Sequence, residues 1–437
     1  MYFCKLQSKN KELPNRLLLN RLILLTSVTK KTLDNKNRNT GYRIMMAVTN
    51  DLVTDQRVHR SCMALKEAGY DVTLIGRLLP NSKPVERPYH TERMILFFKK
   101  KAVFYAEYNI RLILRLLFAR TDAYYSNDTD TLPACYVASR LRGKPLFFDA
   151  HEMFPEVPEL VGRPRIKRFW KGIEDYIFPR IAKNKRMAAA TVCKSIADIY
   201  KNRYGISMAV VRNVPMKQEE AEEELQQVKT IITTITDIKS SKKILLYQGA
   251  VNIGRGIEAV MEAMPILEEC HMVVAGVGDK YDELCARAHE MRCNNITFLG
   301  RLEPKVLRNL TKQADLGLSL LENRGLNYYY SFPNRIADFV QAGVPVLATD
   351  FPEIHSIVDG YGIGTLMAPA PFDSKTQTSL WPKPESMASI IRETIDYWSS
   401  IDEEEKHRRF AVAATELNWE NDKKTLLNAI NTIMYPV

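Results

Sequence analysis

A short segment in the second half of the chain combines a cation with residues that start a helix, as many phosphate sites do. Ser331, Pro333 and Asn334 precede a helical pattern, and Arg335 follows in its first turn. Free backbone N–H groups and the positive end of the helix dipole both attract anions at such a position. The segment therefore predicts a phosphate site, although an ordinary crossover helix that begins at a proline would show the same pattern.

A glycine-rich loop about eighty residues earlier in the chain has similar properties. Gly249, Gly254 and Gly256 let the backbone approach a ligand closely, because glycine has no side chain. Arg255 lies among these glycines at the start of a predicted helix. The loop therefore also predicts contact with an anion.

Acidic residues and a histidine end two predicted strands in the first half of the chain. His151 follows the strand that contains Asp149, at the sheet edge where parallel sheets bind ligands. A lone histidine is more often structural, but this position favours a functional role. Asp128 and Asp130 have the spacing of an Asp-x-Asp metal motif. Because a helical pattern follows at once, we expect them to cap that helix and interact with its dipole, and we predict no metal site.

The scaffold that would position these residues is predicted from alternating strand and helix patterns. The alternation begins at Arg43, breaks at a polar stretch with five acids between Glu219 and Glu224, and then resumes. Such alternation predicts parallel sheets. We therefore predict an α/β protein with two doubly wound parallel-sheet domains that face each other across a cleft. Their predicted bounds are 43–215 and 243–410, with a leader at 1–42, a linker at 216–242 and a last helical segment at 411–437.

The run from Asp338 to Val346 resembles the donor-sugar segment of the family-4 glycosyltransferases, which have the GT-B fold. In that family a Glu-Ala-x-x-x-Gly-x-Pro-Val run follows the sugar-binding loop, and Asp338 takes the place of the ribose-binding Glu. A second Glu of the family is Tyr330 here, and the nearest upstream acid is Glu322. A subgroup with a Pro-Asn/Ser-Lys/Arg signature lacks the strict pair, and residues 331–335 are similar to it.

The glycine-rich loop is similar to the family loop in which Gly-Arg and Lys-Gly, four residues apart, hold the donor diphosphate. Arg255 and Gly256 match the second pair, whereas Ala250 replaces the arginine of the first. The resemblance implies that Arg335 supplies part of the positive charge that Ala250 cannot supply. It covers residues 43–437 and implies a GT-B fold whose last helix returns to the first domain.

The resemblance implies a hexosyltransferase that moves a sugar from a nucleoside-diphosphate sugar to an acceptor on the first domain. The reaction would be retaining, with no metal and no cofactor besides this co-substrate. The acceptor would be a lipid-linked or polysaccharide glycan, as in lipopolysaccharide or capsule synthesis. The implied catalytic residues are His151, which would contact the donor sugar, Arg255 and Arg335. The implied binding residues are Gly249, Gly254, Gly256, Glu322, Ser331, Pro333, Asn334 and Asp338 for the donor, and Asp51 and Arg57 for the acceptor.

Two other functions remain open from the sequence. A nucleotide-sugar 2-epimerase shares the two-domain fold and would turn over the donor without an acceptor. A nucleotide-binding scaffold without catalysis would agree with the replacement by Ala250 and with the broken acidic pair.

The composition and charge of the chain indicate what kind of protein it is. The chain has 437 residues, 46% hydrophobic and 26% charged, which is typical of globular proteins. Residues 1–43 hold ten Lys or Arg against Glu12 and Asp34, so most of the net charge of +11 lies there and does not indicate a nucleic-acid partner. The seven cysteines form no C-x-x-C pair, and no apolar run reaches the roughly 18 residues of a membrane span. We therefore predict a cytoplasmic protein.

Basic segments suggest contact with an anionic membrane. The leader allows three interpretations: a membrane-surface segment, a disordered arm, or a start upstream of Met45 or Met46. Two further basic clusters lie at residues 93–120 and 163–186. Because each basic residue near anionic lipid contributes about 1 kcal/mol, we expect attachment to the inner face of the plasma membrane.

Overall fold

The computed structural model of the protein describes residues 41–53, 55–157, 160, 162–216, 226–373 and 378–435. The predictions for the leader and for the acidic centre of the linker therefore lie outside the described residues. Within them, two parallel sheets carry the fold, and the predicted fold class is confirmed.

The first sheet has seven strands in the order β3-β2-β1-β4-β5-β6-β7, all parallel. Its central strands are fully buried and rich in apolar residues, because helices cover both faces. The strands are β1 (Arg43–Ala47), β2 (Asp71–Leu78), β3 (His90–Ile95), β4 (Ala123–Asn127), β5 (Leu146–Ala150), β6 (Met187–Thr191) and β7 (Met208–Val210).

The second sheet has six parallel strands in the order β10-β9-β8-β11-β12-β13. A short antiparallel hairpin follows it. The strands are β8 (Lys243–Gln248), β9 (Cys270–Ala275), β10 (Ile296–Gly300), β11 (Leu316–Ser319), β12 (Val346–Thr349), β13 (Gly364–Met367), β14 (Phe372–Asp373) and β15 (Thr378–Ser379).

Helices connect the strands and cover the sheets. Those that accompany the first sheet are α1 (Gln56–Glu67), α2 (Lys101–Leu117), α3 (Asp128–Arg142), α4 (Pro164–Ala182) and α5 (Lys194–Tyr204). Those of the second half are α6 (Gln226–Lys239), α7 (Ile257–Ala263), α8 (Tyr281–Glu290), α9 (Pro304–Thr311), α10 (Leu326–Tyr329), α11 (Asn334–Ala342), α12 (Pro352–Tyr361), α13 (Pro384–Ser400), α14 (Glu403–Glu416) and α15 (Trp419–Met434).

The strand order reverses between β1 and β4 in the first sheet and between β8 and β11 in the second. Ligands of doubly wound sheets bind beyond the carboxyl ends of the strands at such reversals. Asp128 follows β4 and Gly249 follows β8, so a ligand site is expected at these two residues.

The predicted polar linker contains a helix. In α6, Ile231, Ile235 and Ile238 lie on one face, and Ile235 is buried against the core. The threonines between them hide this stripe in the sequence. The linker therefore contributes a packed element, which the sequence interpretation did not include.

The end of the chain crosses back to the first domain. The predicted bound at residue 411 falls inside α14, which packs on α11 and α12 of the second domain. Asn418 then caps α15, and Trp419 donates its backbone N–H to Pro215 O. α15 lies against α1, β6 and β7, so the crossing is at Asn418. Among the described residues, no helix is long and apolar enough to span a membrane.

Candidate active site

His151 is held between two carboxylates at the carboxyl edge of the first sheet. Its Nδ1 lies 3.3 Å from Asp128 Oδ2, and its Nε2 lies 3.4 Å from Asp149 Oδ2. Its backbone N–H also donates to Asp128 Oδ1 at 2.7 Å. The side chain of Asp149 is fully buried, whereas those of His151 and Asp128 are 16% and 21% exposed, so these two side chains form the open side of the cluster.

The charge of this cluster is set by its neighbours. Burial alone would lower the pKa of His151, but Asp128 and Asp149 outweigh it and raise that pKa to about 9. Burial alone would raise the pKa of Asp149, but Arg57 and His151 outweigh it and hold that pKa far below the ordinary value. At neutral pH the sheet edge therefore presents an imidazolium ion.

Asp128 reaches His151 through an unusual backbone conformation. Its φ is +60°, in the left-handed region, which costs about 1 kcal/mol for a residue other than glycine. No side chain caps the start of α3, so the prediction that these acids cap the helix is wrong. The left-handed turn points the Asp128 carboxylate at His151 instead.

Asp130 lies in the first turn of α3, as the predicted interaction with the helix dipole requires, and it also bonds outside the helix. Its Oδ2 accepts a hydrogen bond from Thr49 Oγ1, and its Oδ1 has no partner although it is buried. Burial and the nearby Asp128 raise the pKa of Asp130 to about 7. Within the part of the chain that the structure describes, no three His, Cys, Asp or Glu side chains could hold a metal ion together.

On the second domain, the Gly249 turn and the α11 start meet at Arg335. A Cβ on Gly249 would lie 3.7 Å from Arg335 Nη2, so the guanidinium group borders the turn. Arg335 stacks on Tyr247 at 4.3 Å from the ring centre, and the Tyr247 hydroxyl donates to Ala250 O at 2.6 Å. Arg335 Nη1 is buried and has no hydrogen-bond partner among the residues that the structure describes. An anion at this turn would supply that partner.

Arg255 lies on the same loop, 4.8 Å from the ring centre of Tyr328. Its Nε is likewise buried without a hydrogen-bond partner. Gly256 has φ +65°, and a Cβ there would lie 2.7 Å from Leu320 Cβ, so this position requires glycine. Gly254 accepts at its carbonyl from the Glu322 N–H and lies against Arg324.

The predicted donor acids have polar partners of their own. Asp338 accepts from Gln248 Nε2 at 3.0 Å, and burial raises its pKa above the ordinary value. Glu322 pairs with Arg324 at 2.7 Å and faces Trp381 Nε1 at 3.4 Å. Their roles in donor binding remain predictions.

The α11 start has the predicted form. Pro333 is the cap residue with extended backbone, and Asn334 is exposed in the first turn. The Ser331 hydroxyl donates to Tyr328 O at 3.0 Å, so it fixes the loop. No side chain caps the first N–H groups of α11, which leaves them available to a ligand.

Arg57 does not face an acceptor. It is 6% exposed, pairs with Asp149 at 2.7 Å and donates to Val211 O at 2.9 Å. The predicted acceptor contact is therefore corrected: Arg57 holds the carboxylate that in turn holds His151. Asp51 accepts from the Ser82 hydroxyl and lies 3.6 Å from Arg93 Nη1, and its role in acceptor binding remains a prediction.

Sequence reasoning missed a cavity of about 390 Å³ beside Asp128. It combines residues from the ends of β1, β2 and β4 with the α2 start and the loop after β5. Its lining residues are Val48, Thr49, Asn50, Arg77, Lys99, Lys100, Lys101, Phe104, Tyr105, Asn127, Asp128, Asp130, Glu152 and Phe154. Because these positions are far apart in the chain, no local pattern could have predicted the cavity.

The two domains meet close to this site. Asn327 of α10 accepts from the Met153 N–H at 3.0 Å and donates to Glu152 at 3.2 Å. The loop that carries His151 is therefore tied to the segment between β11 and α11, which carries Glu322 and Ser331. The sheet edges of both domains thus border one cleft.

Comparison with known proteins agrees with this architecture. A model described as Glycosyltransferase Family 4 matches residues 55–215, and one described as Glycosyl transferases group 1 matches residues 242–378. An uncharacterised glycosyltransferase of Methanocaldococcus jannaschii is 26% identical over 125 residues. That match spans 28% of this chain and 30% of the relative.

Solved structures share the fold over nearly the whole chain. A glycosyltransferase from Rickettsia africae has a TM-score of 0.66 at 13% identity, over 91% of this chain and 100% of that one. Anabaena HepE in complex with UDP-glucose has a TM-score of 0.62 at 12% identity, over 89% and 99%. At these identities the likeness shows the fold alone. With one family model on each domain, the chain is a member of the family-4 glycosyltransferases with the GT-B fold.

Proposed function

We propose that the protein transfers a sugar from a nucleoside-diphosphate sugar to an acceptor bound on the first domain. The observation that carries the proposal is the pair of arginines at the Gly249–Gly256 loop. Both Arg255 and Arg335 have a buried guanidinium nitrogen without a hydrogen-bond partner. A diphosphate at the free N–H groups of α11 would satisfy both.

The chemistry follows from where charge develops. The acceptor hydroxyl oxygen bonds to the anomeric carbon, and the bond from that carbon to the diphosphate breaks. The electron pair stays on the departing diphosphate, which also takes the hydroxyl proton. Fixed cations and helix N–H groups stabilise this charge, so the two arginines and the α11 start supply what a divalent cation would otherwise supply.

The first domain would complete the site from the other side of the cleft. The His151 imidazolium is partly exposed and would contact the donor sugar, while Asp128 and Asp149 fix its orientation. We infer that the sugar is transferred with retention of configuration. The cavity beside Asp128 would hold the acceptor.

Nucleotide binding and turnover can be measured together. We expect UDP, GDP or ADP to bind the wild-type chain in isothermal titration. Donor consumption and sugar transfer should then persist with excess EDTA. Tight binding without turnover on any acceptor would instead indicate a scaffold, and interconversion of the donor sugar without acceptor would indicate a 2-epimerase.

A glycan acceptor on a lipid would bring the protein to a membrane, and one face of the first domain suits that. Helices α2, α3 and α4 lie side by side and share one core with the sheet. Their outer side exposes large apolar side chains; Phe97 and Phe118 are 82% and 85% exposed. This apolar-basic face consists of Phe97, Ile110, Leu114, Phe118, Leu141 and Phe169, with Lys99, Lys100, Lys101, Arg120, Arg163, Arg165 and Lys171 around them.

We propose that the apolar-basic face docks on an anionic bilayer. Apolar side chains among basic ones match the acyl boundary and the charged headgroups of such a surface. Changing Phe97, Leu114 and Phe118 to Ser should reduce vesicle binding more than tenfold, because each buried side chain contributes about 1.5 kcal/mol. Sedimentation with anionic and zwitterionic vesicles measures this.

A matched control removes three exposed apolar side chains from the second domain. These are Leu380, Tyr397 and Val412, each changed to Ser. If both triple variants bind anionic vesicles as the wild type does, the face does not contact membranes.

A further inference from the structure

The cavity beside Asp128 contains cations that nothing in the structure uses. Arg77 stacks on Phe104 at 4.8 Å from the ring centre, and its Nε is buried without a hydrogen-bond partner. Lys99, Lys100 and Lys101 are exposed and take part in no ion pair among the described residues. The cavity wall therefore carries four positive charges without acidic partners.

Other basic residues nearby in the chain do have acidic partners. On α2, Arg111 pairs with Glu107 at 2.8 Å, and Arg115 pairs with Glu92 at 2.5 Å. Between Leu96 and Leu117, the cations without an ion pair among the described residues are Lys99, Lys100 and Lys101, and all three line the cavity. Their position on the cavity wall, rather than the net charge of the segment, suggests a ligand.

The acids that line the cavity have partners of their own. Asp128 contacts His151, and Asp130 accepts from Thr49. Glu152 accepts from Asn327 across the domain boundary. The cavity wall therefore combines acids that already have partners with cations that have no ion pair among the described residues.

We propose that this cavity binds a phosphate group of the acceptor through Arg77 and Lys99–Lys101. A phosphate carries more than one charge and several acceptor oxygens, which suits a guanidinium fork and several ammonium groups. A cavity of about 390 Å³ can hold a sugar with one such group. The inference rests on the proposed function, because it makes the ligand the acceptor of that reaction.

The positions of the cations and of the acids on the cavity wall suggest an orientation for the acceptor. With its phosphate at the lysines, the acceptor would extend a sugar hydroxyl toward Asp128 and His151, where the donor sugar is expected. The phosphate could belong to a soluble sugar phosphate or to a lipid phosphate. Lys99 is two residues from Phe97, and both belong to the apolar-basic face proposed to dock on a bilayer, so either source can reach the cavity.

The test compares two cavity variants with a control that has the same charge change as the larger of them. The cavity variants are Arg77→Gln and the triple change of Lys99, Lys100 and Lys101 to Gln. The control changes three exposed lysines elsewhere, Lys201, Lys383 and Lys424, to Gln. The probes are glucose 6-phosphate, glucose 1-phosphate and monomeric dihexanoyl phosphatidic acid, each against its phosphate-free counterpart, in isothermal titration.

We expect the wild type to bind at least one phosphate probe about tenfold more tightly than its phosphate-free counterpart, as charged hydrogen bonds predict. Both cavity variants should lose this preference, whereas the control should keep it. The source of the phosphate follows from which probe binds. For the lipid probe, Arg77→Gln distinguishes binding in the cavity from binding to the apolar-basic face, because Arg77 lines the cavity and is not part of that face.

UDP affinity separates this proposal from the proposed function. It should be equal in all variants, and equal thermal unfolding midpoints show that the first domain is folded in each. The cavity proposal is overturned if no phosphate probe is preferred, or if cavity and control variants bind the probes alike while UDP still binds. Absence of UDP binding in the wild type would instead contradict the donor site.

Discussion

At the scale of single residues, the role of the buried arginine at the α11 start can be tested most directly. Arg335 lies against the Gly249 turn with one nitrogen unpartnered. Arg335→Ala should weaken UDP binding by about 2 kcal/mol or more, roughly thirtyfold, because a charged hydrogen bond to phosphate is lost. Isothermal titration measures this.

The control for that change is Arg301→Ala, which removes an exposed arginine of the same domain. Arg335→Lys should recover little affinity, since lysine cannot reproduce the planar stacking on Tyr247. Equal UDP affinity in Arg335→Ala and wild type would remove the arginine from the donor site.

The raised pKa of His151 predicts that stability and turnover depend on pH. Its folded pKa of about 9 lies above the ordinary 6.5, so the imidazolium stabilises the fold fully below pH 6.5. That contribution is lost as the pH rises through about 9, and turnover that needs the imidazolium should fall over the same range. An NMR titration and a pH–rate profile measure the two effects.

Asp149→Asn should lower the pKa of His151, because it removes one of the two carboxylates that raise it. Since Asp149 is buried, the unfolding midpoint of each variant has to be recorded beside its pH–rate profile. A His151 signal that titrates near 6.5 in the wild type would contradict the cluster.

Arg57 was predicted to bind the acceptor, but it supports the fold. Arg57→Ala removes the closer of the two charged partners of buried Asp149 and leaves only His151, which should cost about 3 kcal/mol. Arg111→Ala breaks a half-exposed pair with Glu107 and should cost less than about 1 kcal/mol. Thermal unfolding of both variants should show a drop of several degrees for the first alone, and similar midpoints would be incompatible with this role.

At the scale of elements, the start of α5 receives a side chain from the other domain. Glu353 of α12 accepts from the Lys194 and Ser195 N–H groups and from the Ser195 hydroxyl. This fills the positive helix end with a carboxylate, as an anion ligand would. The contact therefore couples α5 to the second domain.

Glu353→Ala should leave those N–H groups unpaired. We expect faster hydrogen exchange at Lys194 and Ser195, about tenfold for a lost hydrogen bond to a charged group. Glu393→Ala, an exposed change on α13, is the control. Unchanged exchange in the first variant would show that this domain contact does not persist in solution.

The elements also show how far sequence patterns reach. The buried strands were predictable because their apolar runs are continuous, as with Leu146–Ala150. The edge strand His90–Ile95 was missed because its residues are polar and only partly buried. The left-handed turn at Asp128 was missed because helix capping is the commoner use of an aspartate there.

At the scale of the whole molecule, the predicted two-domain fold with a cleft is confirmed, but the cleft brings together residues that no local pattern connects. The cavity beside Asp128 needs Arg77 of β2, Lys101 of α2 and Phe154 after β5. Motifs in one segment, such as Asn334–Asp338, were predictable. Sites assembled from three segments were not, because their geometry depends on the topology.

The proposed sugar transfer requires the diphosphate to bind at the two arginines. A structure of the protein with UDP or GDP should place the diphosphate between the Arg255 turn and the α11 start, within hydrogen-bond distance of Arg335 and without a divalent ion. A diphosphate bound instead at Asp128 and Asp130 through a metal ion would contradict the account.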